Sequence, residues 1–136
     1  MTDCNVELRN HDHGRRPSPQ ELLGDAFPAV RNTLLAAHPG MSLGRAEMIT
    51  AEAVKFVVAS AQNPGVPLAP SRAVDTGWHA LLLHTAAYAE LCGRYGTFVH
   101  HLPGCDPRPG DPDSLRRARR AVEGAGFEAV EGLWRA

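Results

Sequence analysis

The sequence predicts an all-α protein, a small bundle of four to five helices around a long central helix. Three observations carry that expectation. Apolar residues recur at the 3.6-residue helical period in successive stretches of the chain. Several of these stretches are preceded by Ser-Pro or Asp-Pro start signals and followed by Gly or Pro. Thr97 to Leu102 is the one short segment with an extended look, and a lone strand cannot make a sheet.

Residues 1–17 are polar, contain Asn10-His11-Asp12-His13-Gly14-Arg15-Arg16 and show no apolar period, which predicts a mobile N-terminal arm ahead of a single helical domain over 18–136. Ser18-Pro19-Gln20-Glu21 combines an N-cap serine, a proline at the first helical position and a glutamate three residues after the cap. A helix is expected from there through Leu22, Leu23, Ala26, Phe27, Val30, Leu34 and Leu35, kinked at Pro28 and ended by His38-Pro39-Gly40. A second opens at Ser42, turns Ile49, Ala53, Phe56, Val57 and Ser60 inward, and stops before the Asn63-Pro64-Gly65-Val66-Pro67 turn. The third and longest pattern, Arg72 to Gly93, is expected to be the central helix. Asp111-Pro112 starts a last helix through Leu115, Ala118 and Val122, and Phe127, Val130, Leu133 and Trp134 give the tail an apolar face that docks back on the core.

A chain of 136 residues supports one ordinary core, and a net charge of -1 gives no reason to expect nucleic-acid or membrane binding. There is no run of about 18 apolar residues and no signal-peptide pattern, so a cytoplasmic location is expected. Three unpaired cysteines, Cys4, Cys92 and Cys105, argue against a disulfide framework. Arg116, Arg117, Arg119 and Arg120 read as a solvated helix face.

The chemistry-bearing residues concentrate between Asp75 and Cys105. At about 100° per residue, Asp75 and His79 share one helix face, and a carboxylate beside an imidazole fixes its tautomer and raises its basicity. His84 lies roughly 140° away from His79, so the two do not form a compact ligand pair. Partners must come from another segment, and His100 with His101 is the obvious source, with one of the two facing the site. Two or three imidazoles and a carboxylate suit zinc or non-haem iron. A closed Cys-His zinc site using Cys92 and Cys105 is the structural alternative, Tyr88 is a candidate ligand-binding hydroxyl, and His11 and His13 are incidental.

The pattern Ala73-Val74-Asp75, Trp78-His79, Tyr88, Cys92, Gly96 and Phe98-Val99-His100-His101 resembles the D-x-x-W-H…Y…C…G…H segment of the glycine-rich domain-containing protein family, in its short stand-alone bacterial form. The resemblance covers about Pro70 to Pro103 and implies a motif more than a reaction. Where that family often has W-H-x-H, this chain has Trp78-His79-Ala80-Leu81, one candidate ligand fewer. The family's RNA-associated regions have no counterpart here, so RNA binding is not implied.

The leading expectation is a metal-binding helical protein using Asp75, His79 and His100 or His101. With an open coordination position it is a small hydrolytic or oxidative enzyme. The alternative is a non-catalytic module that binds a small molecule or a protein partner in the same histidine pocket.

Overall fold

The computed structural model describes residues 17–102 and 106–135. Cys4, Cys105, the His11 and His13 pair and almost all of the segment expected to form an arm lie outside the described residues. Within them the chain is all-helical and has no strand. The elements are α1 (Pro19–Leu23), α2 (Ala26–Ala37), α3 (Leu43–Ala61), α4 (Arg72–Leu82), α5 (Thr85–Tyr95) and α6 (Pro112–Gly124), followed by a 3-10 turn at Glu131–Leu133.

Ser18 and Glu21 close a reciprocal cap on α1, with Glu21 N donating to Ser18 Oγ at 3.1 Å and Ser18 N donating to Glu21 Oε1 at 2.8 Å. The chain then breaks at Gly24, whose φ of 55° suits glycine, and not at Pro28. Pro28 falls in the first turn of α2, where its missing N–H costs no helical hydrogen bond. The expected single kinked helix is therefore two.

The long central helix is α3, not the Arg72 to Gly93 pattern. Its buried residues include Ala46, Ile49, Glu52, Ala53, Val54, Phe56, Val57 and Val58, which lie all around the helix. From Ile49 to Ala61 none of its residues is exposed; a helix covered on every side belongs in the middle of a bundle, and α1, α2, α4, α5 and α6 all pack against it. The closest approach is to α4 at Gly77, where a Cβ would stand 2.7 Å from Ile49 Cγ2 and 2.8 Å from Ile49 O.

The Arg72 to Gly93 pattern divides at Leu83 and His84. Ser71 caps α4 by accepting from Val74 N at 3.1 Å, and its own hydroxyl donates to Leu133 O in the tail. His84 leaves the helical region with φ -96° and ψ 73°, and α5 starts after it. Apolar periodicity cannot reveal this break, because Leu81 to Thr85 holds neither glycine nor proline. Its cause is tertiary: Trp78 Nε1 donates to Tyr88 Oη at 2.9 Å. On one straight helix, ten residues apart, these groups would be separated by about 15 Å along the axis.

Asp111 caps α6 by accepting from Ser114 N at 3.1 Å. The tail beyond α6 is clamped to α3 by Glu52, which is 1% exposed. One carboxylate oxygen accepts from Val130 N at 3.1 Å and from Trp134 Nε1 at 2.8 Å, and the other meets Lys55 Nζ at 2.6 Å. Glu52 stands on the same helical face as Ile49 and Phe56, within the apolar stripe, and that placement is the sequence signal for a buried, paired carboxylate.

Two stability outcomes follow. Gly93 faces open space in α5, so Gly93→Ala should raise the unfolding free energy by about 0.5–1 kcal/mol through helix propensity. Gly77→Ala should lower it by about 1–2 kcal/mol, because the strain of overpacking exceeds the same propensity gain. Urea titration of the two variants side by side reads both signs. Glu52→Ala strands the indole and amide donors of the tail and should cost about 2–4 kcal/mol, with a red shift of tryptophan emission in the native baseline.

Candidate metal centre

Asp75 and His79 are one turn apart on α4, and Asp75 Oδ2 lies 3.2 Å from His79 Nε2. The third member is His101. Its Nε2 is 3.0 Å from His79 Nε2 and 3.5 Å from Asp75 Oδ1. One ligand atom from each of the three residues falls within 4.8 Å of the others, and this is the one such group found among the described residues. His79 is the open side of the cluster at 58% side-chain exposure, whereas Asp75 and His101 are 18% and 19% exposed.

The extended backbone of 97–102 decides between the neighbouring histidines. Residues two apart point the same way, so Val99 and His101 turn inward while Phe98 and His100 turn out. The rings of Phe98 and His100 pack on each other with centroids 4.8 Å apart. The His101 ring packs on Trp78 at 4.4 Å and stands edge-on to His79 at 4.6 Å.

Three anchors hold this extended segment. Gly96, at φ 154°, brings its Cα so close to the end of α3 that a Cβ would meet Ala61 O at 2.2 Å, and Thr97 N donates to that oxygen at 3.3 Å. Tyr88 Oη, which accepts from Trp78, donates in turn to Val99 O at 2.6 Å. Leu102 N donates to Asp106 Oδ2 at 2.7 Å, and Asp106 N donates back to Leu102 O at 2.9 Å. Tyr88, the candidate ligand-binding hydroxyl, is thus buried and committed to two internal bonds. Burial pushes its phenol well above the ordinary tyrosine range, so it stays neutral and keeps the proton that it donates.

Cys92 is buried in α5, its thiol pushed up by burial, beside the Val99 backbone and the Tyr88 hydroxyl. It does not join the cluster, and Cys105 lies outside the described residues. His84 is also elsewhere. Its Nε2 is 2.8 Å from Thr33 Oγ1, and that hydroxyl donates its only proton to Ala29 O at 3.1 Å. With that hydroxyl proton on Ala29 O, His84 Nε2 is the donor to Thr33, and in either tautomer the residue staples the α4–α5 turn to α2.

Two imidazole nitrogens 3.0 Å apart cannot both present lone pairs, so a proton or a metal ion has to stand between them. Asp75 Oδ1 is sealed from water and accepts no hydrogen bond; His101 Nε2, at 3.5 Å, is near enough for attraction but too long for a bond. A buried carboxylate oxygen without a partner is costly.

Asp75 lines two clefts. One, about 410 Å³, has His79 in its wall together with Leu34, Ala37, Ala80 and Leu83. The other, about 390 Å³, is lined by Arg72, Arg108 and Asp111 among others. Reading the sequence for metal ligands passed over both arginines, although Arg72 sits three residues before Asp75 on the same helix face. A larger cleft of about 500 Å³ between the end of α3 and α6 holds Arg117 and Arg120 but neither Asp75, His79 nor His101.

No curated protein and no solved structure matches the chain. The sequence pattern of the UCP032817-like family matches residues 25–122, which run from the start of α2 through most of α6. This corrects the resemblance to the glycine-rich domain-containing family. The residues behind that resemblance discriminate poorly between families for a physical reason: Trp78, Tyr88 and Cys92 are core residues, of the kind that any buried pair of helices demands. Matched over most of its length, the chain belongs to the UCP032817-like family.

Proposed function

We propose that the protein binds a transition metal through Asp75, His79 and His101 and uses it for a small metal-dependent reaction. The observation that carries this reading is the convergence of two imidazole nitrogens on a carboxylate whose buried oxygen has no hydrogen bond of its own. A tetrahedral ion with bonds of about 2.0–2.1 Å sets neighbouring ligand atoms about 3.3–3.4 Å apart. An octahedral ion sets them at about 3.0 Å. The two imidazole nitrogens stand 3.0 Å apart, at the octahedral value, and each Asp75 oxygen lies within 3.5 Å of one of them, so small side-chain rotations suffice to close the set on one ion. Zinc and ferrous iron are the metals this donor set suits.

Three protein ligands leave at least one position free, and the exposure of His79 puts the free side toward solvent and the apolar cleft. Zinc there would activate a bound water for hydrolysis, whereas iron would support oxidation. The chain's own contribution is orientation. Trp78 and Tyr88 fix Val99, and two residues later His101 rests on the Trp78 ring. Such partners behind a ligand typically change metal affinity by about 10–100-fold.

Protein purified without a histidine tag should carry or take up about one equivalent of zinc or iron by elemental analysis and melt at a higher temperature when the metal is added. His79→Ala, His101→Ala and Asp75→Asn should each weaken binding by at least about 100-fold, more than the loss of a partner behind a ligand. His84→Ala and His100→Ala should leave it unchanged. Tyr88→Phe should weaken it by about tenfold, through the loosened Val99. Background metal in the wild type with no thermal shift would overturn the reading, as would equal losses from His79→Ala and His84→Ala.

A further inference from the structure

We propose that the ligand of this site is an oxyanion with an apolar tail, its carboxylate or phosphate gripped by Arg72 and Arg108 and its tail laid along Leu34, Ala37 and Leu83. The inference rests on the metal-binding reading for the reaction, but the two grips themselves stand on separate residues.

The argument begins with the register of α4. Arg72, Asp75, Thr76, His79, Ala80 and Leu83 follow at steps of three and four, so they form one stripe along the helix and its C-terminal turn. The stripe is about 16 Å long at 1.5 Å per residue. It is basic at the N-terminal end, ligating in the middle and apolar at the far end. The two clefts that share Asp75 continue this polarity into the neighbouring elements: Arg108 lines the first with Arg72, and Leu34 and Ala37 of α2 line the second with Ala80.

Charge selects an anion for the first cleft. Neither the Arg72 nor the Arg108 guanidinium has a hydrogen-bond or ion-pair partner among the described residues, and both are exposed. Asp111, the acidic member of that wall, is held below the usual carboxylate range by the Ser114 backbone N–H, to which it is committed as the cap of α6. Arg72 and Arg108 balance Asp75 and Asp111, so a divalent cation on Asp75 leaves the region positive. Two forked guanidinium groups suit carboxylate or phosphate oxygens, which they can bind bidentately. The N-terminal ends of α4 and α6 border the same cleft and add to its preference for negative charge.

Shape and polarity select the tail. Leu83 is 73% exposed at the end of the stripe, and with Leu34, Ala37 and Ala80 it gives the second cleft an apolar wall. Only a molecule carrying both chemistries fills the two clefts at once, and its middle then lies over Asp75 and His79.

Calorimetric titration with octanoate and octyl phosphate, against acetate and octanol, tests the proposal on the full chain with and without zinc. The expected result is binding of one or both eight-carbon anions at least tenfold tighter than acetate or octanol, strengthened by zinc. The tighter of the two identifies the headgroup. Arg72→Gln and Arg108→Gln should each weaken that binding at least tenfold while leaving zinc affinity unchanged, and Leu83→Ser should reduce the advantage over acetate. If zinc does not bind, the metal reading fails alone, and the arginine variants are compared in zinc-free protein, where the same loss still supports the anion grip. Octanol binding as tightly as the anions, no binding of either anion, or equal binding by wild type and both arginine variants overturns the proposal.

Discussion

The hydrogen-bond chain from Trp78 through Tyr88 to Val99 is the constraint on which the site depends. It joins the three pieces of chain that must meet: α4, which carries Asp75 and His79; α5, which carries Tyr88; and the extended segment that carries His101. Every bond in it is buried or nearly so, and a buried hydroxyl without partners costs about 1–3 kcal/mol. Breaking the helical pattern at His84 is the backbone's response. The turn sacrifices a few helical hydrogen bonds, recovers part of them through His84 N to Leu81 O, and brings Tyr88 under Trp78. The pairing of α4 with α5 and the placement of His101 therefore share one hydroxyl, that of Tyr88.

Backbone proximity sets the frame around that chain. At Gly77 the axis of α4 comes so close to α3 that no side chain fits between, and at Gly96 the chain leaving α5 touches the last carbonyls of α3. Both glycines thus reference the site to the most buried helix of the bundle. Phe56, on α3, carries the same reference through its ring, 4.9 Å from Trp78 and 6.5 Å from Trp134. The position of Asp75 and His101 is consequently tied to the centre of the core, while His79 remains open to solvent.

What the sequence discloses and what it hides divide along the range of the interactions. Caps at Ser18, Ser42 and Asp111 are local, obey short spacing rules, and can be read directly. So can the shared face of Asp75 and His79, which needs only helical rotation. The identity of the central helix is hidden, because Leu43 to Ala61 and Arg72 to Gly93 are both apolar enough and only the packing says which is surrounded. The break at His84 is hidden because its cause lies ten residues away in the Tyr88 hydroxyl. Choosing His101 over His100 depends on the phase of an extended segment, and that phase is set by Val99 receiving a bond from Tyr88. Glu52 shows the same limit in reverse: its place within an apolar stripe signals burial, but its partners at Val130 and Trp134 come from the far end of the chain.

The strain within the cluster separates it from ordinary packing. Two other buried polar atoms lack hydrogen-bond partners among the described residues, Thr50 Oγ1 and Ser60 Oγ. Both are neutral hydroxyls on α3, which can rotate toward a helical carbonyl of the preceding turn at little cost. Asp75 Oδ1 has no such escape, because a carboxylate carries no rotatable proton and its other oxygen is already engaged by His79. Glu52, buried more deeply, is by contrast surrounded by donors. Asp75 instead faces two ring nitrogens that compete with each other for a single proton. A cation held by the three residues, as proposed, would relieve that competition. The contrast between Asp75 Oδ1, without a hydrogen bond, and Glu52, with both oxygens paired, is the physical ground on which the metal-binding proposal rests.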